Sequence, residues 1–260
     1  MCKRIGKVKI FITTVAGSST RFSKSLGKEV LKCIYYKESF SESLLYRMLS
    51  QPVEFDKYII VGGYKFEELK TIIKEKFQKF KDKIKLVKND FFIEYGSGYS
   101  LYCGLKEAFK YEFDEIVFAE GDLFVDTKSF VKVCNTIQNV ITYNSDPILA
   151  KKAVVFYFDE KRVLHYIYDI SHNILMIHEP FISIYNSGQL WKFVDRNLLQ
   201  KIYYDMNRKE WQGTNLVMIE KYFRQLPIDN YELIRLNNWI NCNTIEDFKK
   251  FKKENLTSEK

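Results

Sequence analysis

Proline and glycine are scarce, with four and eleven residues among 260, which excludes a collagen-like or low-complexity chain. Five cysteines at 2, 33, 103, 134 and 242 form no CxxC pair, so neither a zinc ribbon nor a thioredoxin-type redox motif is encoded. An odd number so widely spaced points to free, mostly buried thiols in a reducing cytosol and to a cytoplasmic protein. Only three histidines occur, His165, His172 and His178, and their spacing fits no metal motif. Long apolar runs are missing too. The longest clean one, Ala153 to Phe158, falls far short of the roughly 20 residues of a membrane span. The stretch Val8 to Ala16 behind the basic start Met1-Cys2-Lys3-Arg4 is broken by Lys9 and two threonines and lacks a signal-peptide cleavage context.

What is present is a core. Hydrophobic residues make up 46% and aromatic ones 16% of the chain, ample for one large domain and incompatible with global disorder. Apolar runs alternate with amphipathic stretches. Val8 to Val15, Tyr58 to Val61, Ile84 to Val87 and Glu115 to Ala119 read as strands. Helical patterns run through Ser43 to Leu49, Phe66 to Phe80 and Ser100 to Phe109. This rhythm predicts an α/β fold with a mostly parallel sheet and helices on both faces. Beyond Ala150, Lys151 to Phe158 and Val163 to Asp169 read as a hairpin, followed by helices over Gly188 to Leu198 and Asn215 to Phe223. A strand over Leu233 to Leu236 and a helix over Ile245 to Phe251, capped by Thr244 and Asp247, close the chain. With no repeat and no linker, one domain spanning 1–260 with a β-rich insertion is expected.

The most informative segment is the loop after the first strand. Ala16-Gly17-Ser18-Ser19-Thr20-Arg21 gathers backbone N–H groups, hydroxyls and a guanidinium, a combination suited to phosphate and also found in ordinary polar turns. Lys24 and Lys28 follow; neither GxxxxGK[ST] nor GxGxxG is present.

Ile12 to Phe22 followed by Gly27-Lys28-Glu29-Val30-Leu31 resembles the nucleotidyltransferase signature A-G-x-G-[TS]-R-[FL] and [PH]-K-x-L-L. Val61-Gly62-Gly63-Tyr64-Lys65-Phe66-Glu67 looks like the family's V-x-G-Y-x-x-E, and Glu94 to Leu101 like the E-Y-N-S-x-Y-S of bacterial phosphocholine cytidylyltransferases. Glu120-Gly121-Asp122 stands where the family holds magnesium, and Trp239 to Asp247 is similar to its closing W-x-E-I-D-T-x-x-D. Five matches in family order span nearly the whole chain. Its overall run is similar to the CTP:phosphoglutamine cytidylyltransferases of capsule phosphoramidate synthesis.

The resemblance implies a single Rossmann-like (GT-A-like) nucleotidyltransferase domain, with a nucleotide-binding half over 1–149, an acceptor-binding part over 150–230 and a closing segment over 231–260. It implies Arg21 and Lys28 as catalytic residues, and CTP held by Val15, Ala16, Gly17, Ser18, Ser19, Thr20 and Arg21 with Glu94, Gly96, Ser97 and Ser100. Magnesium would sit on Asp122 and Asn243, and pyrophosphate would leave as a small phosphorylated acceptor attacks. Trp211 and Asn215 are candidates for lining the acceptor pocket, with a buried core tryptophan as the alternative. Three positions depart from the pattern: Ser18-Ser19 for the second glycine, Gly27 for the residue before the lysine, and Asn243 for the second metal-binding aspartate.

Two other readings stay open. The chain carries 41 basic against 33 acidic side chains, a net +8. Lys74, Lys76, Lys79, Lys81, Lys83, Lys85 and Lys88 cluster around Phe77 and Phe80, as in a nucleic-acid-binding patch or a solvated helix face. A glycosyltransferase of related fold expects DxD, of which Asp122 supplies the second position while Glu120 replaces the first. The enzyme reading expects neither nucleic acid nor membrane as partner.

Overall fold

The computed structural model describes residues 8–150, 153–168 and 173–250. Its centre is a sheet whose main path runs β10-β6-β9-β4-β1-β2-β3. Six of these strands point the same way: β1 (Lys9–Val15), β2 (Lys57–Gly62), β3 (Ile84–Lys88), β4 (Glu115–Glu120), β6 (Asn139–Asn144) and β10 (Tyr231–Arg235). The seventh, β9 (Phe181–Phe193), runs antiparallel between β4 and β6. Its outer half pairs with β7 (Val155–Asp159), which pairs with β8 (Leu164–Tyr166). The α/β class and mostly parallel sheet expected from the sequence are what the chain adopts. Lys151, Asp169, His172, Cys2 and Phe251 lie outside the described residues.

Alternation along the strands divides the core in two. Ile10 and Ile12, Ile59 and Val61, and Ile116 and Phe118 enter one apolar cluster. Phe11 and Val15, Tyr58 and Ile60, and Val117 and Ala119 enter the other. Because side chains point to opposite faces every second residue, each strand glues a helical layer to either side. The first layer holds α4 (Ser97–Ala108), α6 (Arg196–Asp205), α7 (Arg208–Gln212) and α8 (Leu216–Arg224). The second holds α2 (Leu44–Leu49), α3 (Phe66–Lys76) and α5 (Thr127–Asn135).

A small third cluster joins α1 (Thr20–Leu26), through Phe22, to Leu44 and to Cys242, Ile245 and Phe248. Residues 245–250 are helical, and the expected cap is present: the Asp247 carboxylate accepts from the Thr244 N–H at 2.9 Å while the Thr244 hydroxyl accepts from the Asp247 N–H at 3.2 Å.

Two expectations need correction. Gly188 to Leu198 is not a helix: it is the inner half of β9, and α6 starts only at Arg196, capped by Asp195. The inner strand lies between two neighbours under both helical layers, so residues 186–193 are all buried and show no alternation. A register irregularity opposite Ile141 and Tyr143, with Gln189 at φ 54°, further blurs its signal. Nor does the lysine-rich stretch form one helix. α3 ends at Lys76, and Lys85 and Lys88 lie on the edge strand β3. Past Phe193 the β-rich part gives way to α6, α7 and α8, and α8 is the helix expected over Asn215 to Phe223. Cys33, Cys134 and Cys242 are buried, Cys103 is half-buried, and all four are free.

One polar group sits in the sheet centre. Lys192 on β9 is 1% exposed, and its ammonium meets Glu115 at 2.8 Å and the carbonyls of Cys134 and Thr136 at 2.8 and 2.6 Å. Removing one partner of such a pair strands the others. Lys192→Met is expected to cost about 3 kcal/mol, measured as a drop in the urea midpoint with an unchanged m-value.

Candidate active site

Parallel strands end on one side of the sheet, and the loops leaving β1 and β4 meet there. The register sets Thr14 beside Glu120. The Thr14 hydroxyl donates to Glu120 Oε2 at 3.0 Å, and the next residue, Gly121, donates its N–H to the Thr14 carbonyl at 3.1 Å. The approach is so close that a Cβ on Gly121 would lie 2.3 Å from Val15 and 2.5 Å from the Thr14 oxygen. Around this junction opens a cavity of about 230 Å³, lined among others by Val15, Ala16, Gly17, Ser19, Lys32, Tyr95, Gly96, Ser97, Ser100, Glu120 and Asp122.

The loop solves its missing second glycine by strain: Ser19 adopts φ 55°, ψ 25°, a left-handed conformation that costs a non-glycine residue roughly 1–2 kcal/mol. Its hydroxyl accepts from the Lys32 N–H at 3.2 Å. That bond ties the loop to the segment after α1. There Lys32 reaches the cavity and its ammonium contacts Asp122 Oδ2 at 2.9 Å, both groups being mostly covered.

Lys28 does not line this cavity. With Ser18, Thr20 and Lys24 it borders a separate, shallow one, also lined by Tyr64. Arg21 is exposed and donates to Asn243 Oδ1 at 2.8 Å. Asn243 arrives there because β11 (Trp239–Asn241) pairs with β5 (Leu123–Val125) and the Cys242 N–H bonds the Asp122 carbonyl at 2.8 Å. Asp122 does not cap α5: Asp126 does, its side chain accepting from the Ser129 N–H.

On the far wall, α4 begins at Ser97. A Cβ on Gly96 would lie 2.4 Å from the Gly213 carbonyl oxygen, so only glycine lets this turn rest on the backbone after α7. Ser97 accepts from the Asn215 N–H at 3.1 Å, and Ser100 accepts from Asn89 Nδ2 at 2.9 Å. Glu94 is exposed and does not line the cavity. Phe92 and Tyr95 do. Asn215 is buried behind the wall, its amide donating to Glu120 Oε1. Trp211, 4% exposed, packs in the core and lines another groove.

Sequence reasoning missed Lys32, Glu120 as a wall residue, and the two rings. The signal for Lys32 was present: Lys32-Cys33-Ile34 repeats a lysine-x-apolar pattern four residues after Lys28.

Two titratable groups define the cavity's chemistry. Cys33 lines it, but burial pushes its thiol up to about 12, so it carries no thiolate at neutral pH. Burial also raises Glu120, followed by repulsion from Asp122, to about 7 against the hydrogen bonds from Asn215 and Thr14. Glu120 is half-buried, and its two carboxyl oxygens accept from Thr14 and Asn215. Among the described residues no group of three His, Cys, Asp or Glu side chains is gathered to hold a metal unaided. The Asp122 carboxylate faces Lys32, and Asn243 follows Cys242, whose N–H bonds the Asp122 carbonyl.

A family model for a domain of unknown function, DUF6564, matches residues 28–255. The chain belongs to the DUF6564 family. No curated protein matches it in sequence. The DUF6564 fold is similar to that of the inositol-1-phosphate CTP transferase from T. maritima, at TM-score 0.65 and 16% identity over 93% of this chain and 92% of that one. It is also similar to the CTP:phosphocholine cytidylyltransferase from Streptococcus pneumoniae, at TM-score 0.61 and 14% identity over 95% and 98% of the two chains. These likenesses establish the nucleotidyltransferase fold. No helix among the described residues is long and apolar enough to cross a membrane.

The raised Glu120 gives this DUF6564 chain a pH signature. Its folded pKa lies above the ordinary 4.5, so the folded state holds a proton that the unfolded state has lost, and stability falls as pH rises from about 4.5 to about 7. Glu120→Gln is expected to gain stability relative to the wild type across that window. Urea midpoints of both proteins at pH 5 and pH 8 measure the difference.

Proposed function

We propose that the protein transfers a cytidylyl group from CTP to a small phosphorylated acceptor with release of pyrophosphate. The observation that carries this reading is the meeting, in one cavity, of the strained loop after β1, Lys32, Asp122 and the serines of α4. Two polyanions must approach each other in such a reaction. Catalysis is then mostly positioning and neutralisation of charge, since a phosphate oxygen is a nucleophile at neutral pH without a base.

In this assignment the acceptor's phosphate oxygen forms a bond to the α-phosphorus in line as the bond to the bridging oxygen of pyrophosphate breaks. The N–H groups of residues 15–20 and the Arg21 guanidinium hold the β- and γ-phosphates. Lys32, already beside Asp122 at 2.9 Å, neutralises the α-phosphate, the task the resemblance would give to Lys28. Ser97 and Ser100 accept hydrogen bonds from the protein, so their own O–H protons can donate to the pyrimidine edge, with Gly96 beside them; Glu94 would contribute from the rim.

Asp122 would hold magnesium, which would supply further charge neutralisation on the triphosphate. One carboxylate suits an ion that keeps waters and leans on phosphate oxygens, and Asn243 Oδ1 would join once Arg21 turns from it to phosphate. Asn215 acts through Glu120 in this scheme, and Trp211 would touch an acceptor only where the second groove extends.

L-glutamine phosphate is the acceptor that the overall run of the sequence favours, giving CDP-L-glutamine for capsule phosphoramidate synthesis. Phosphocholine-like and sugar or polyol phosphates are the second reading, which the named substrates of the two structural neighbours support.

The test is pyrophosphate release from CTP with a panel of phosphorylated acceptors and magnesium. Release with one acceptor is the expected result, and none with any member overturns the reading. Lys32→Ala is expected to lower kcat by about 10²–10³ with the fold intact by circular dichroism, whereas Lys28→Ala changes it only a few-fold. The reverse ranking would return the role to Lys28.

A further inference from the structure

A second cavity, of about 800 Å³, adjoins the first at Tyr95, which lines both. Its lining is a run of rings. Tyr99 and Tyr102 on α4 stack at 5.4 Å and 22°, Tyr102 stacks on Tyr203 of α6 at 5.1 Å and 7°, and Trp211 of α7 meets Tyr102 at 5.3 Å. Two cations, Lys106 and Arg208, complete it, and no carboxylate lines it. On the same elements Glu107 is engaged with Lys110 and Tyr111 and Glu210 with Lys221, while Asp205, between Tyr204 and Met206, is exposed outside the lining.

This composition selects by charge and shape. Quaternary ammonium groups, which seek ring cages, would be repelled by the two cations. An alkyl chain gains nothing from them. A flat aromatic ring carrying one phosphate satisfies both halves, stacking on the rings and pairing with the cations. We propose that this groove is a second nucleotide site, which takes a mononucleotide with its base on the tyrosine array and its phosphate between Lys106 and Arg208.

The groove also has a route to the first cavity. Arg208 donates to the Tyr95 hydroxyl at 2.8 Å, and Tyr95 stacks on Phe91 at 4.9 Å. A phosphate that draws Arg208 away frees the hydroxyl of a ring that walls the first cavity, so occupancy of one site changes the shape of the other. This link rests on the nucleotide reading proposed above; occupancy of the groove does not.

Trp211 is a built-in reporter. The other two tryptophans are Trp191, fully buried in the core, and Trp239, hydrogen-bonded to Gly188. The full chain titrated with AMP, with tryptophan fluorescence as the readout, is expected to show a saturable change that Trp211→Phe removes. The change should persist with CTP at saturation and shift to at least about tenfold higher AMP in the Lys106→Ala/Arg208→Ala double variant, the loss of charge-assisted contacts. Both substituted side chains are exposed, so the double variant keeps its fold. Abolition of the signal by CTP, equal binding by the double variant, equal binding of adenosine, or no saturable change would each overturn the proposal. A protein that binds AMP this way yet releases no pyrophosphate from CTP keeps the groove and loses the catalytic reading.

Discussion

The register between β1 and β4 is the constraint on which the site depends. Pairing Thr14 with Glu120 sets the end of one strand level with the end of the other. The loop after β1 and the Gly121-Asp122 turn after β4 therefore open into the same space. A one-residue slip would turn Glu120 to the opposite face, put Asp122 out of reach of Lys32 and disrupt both core clusters at once. The price of the arrangement is a desolvated carboxyl group at the junction, made tolerable by donors from Thr14 and Asn215. Because Asn215 stands at the start of α8 and its N–H holds Ser97 at the start of α4, the same carboxyl group braces three walls of the cavity.

Legibility in the sequence followed the physics of each element. β1, β2 and β4 each feed two clusters alternately, so their short apolar runs were readable with correct bounds to within a residue or so. The inner half of β9 was not, because a strand buried on both faces carries no period-2 signal and its glycine at 188 reads as a break. Asp122 and Asn243 were found in sequence, 121 residues apart, and the β5–β11 pair brings their segments together. The lysine proposed to meet the α-phosphate was harder to place. Matching letters favours Lys28, but Gly27 ends α1 in a left-handed turn at φ 77°, and the chain returns to the cavity only at Leu31 and Lys32. Linear spacing has no access to that detour. Trp211 and Asn215 stand close together in sequence but serve different places, one a ring array and the other a buried carboxyl.

The charge balance also takes on a different meaning in three dimensions. A net +5 of the +8 lies between residues 74 and 88, where seven lysines stand against Glu75 and Asp82, and none of those lysines lines the cavity. Arg21 has a neutral partner in Asn243, and Glu120 on the cavity wall is raised to about 7. Negative charge in the immediate surroundings is thus low, which suits a ligand that brings its own. The aromatic excess is likewise divided, part of it filling the two layers and part paving the groove beside Tyr95.

The third apolar cluster carries one more consequence. It fastens α1, formed within the first thirty residues, to Cys242, Ile245 and Phe248, and with them Arg21 to Asn243. A chain leaving the ribosome has made α1 long before the residues that dock on it have been synthesised. Docking of these residues on α1 is therefore among the last events of folding, and loop closure over more than 200 residues makes it a slow one. Until then Phe22 and Leu44 lack the cover of Cys242, Ile245 and Phe248, so the partly synthesised chain presents apolar surface that the finished protein hides.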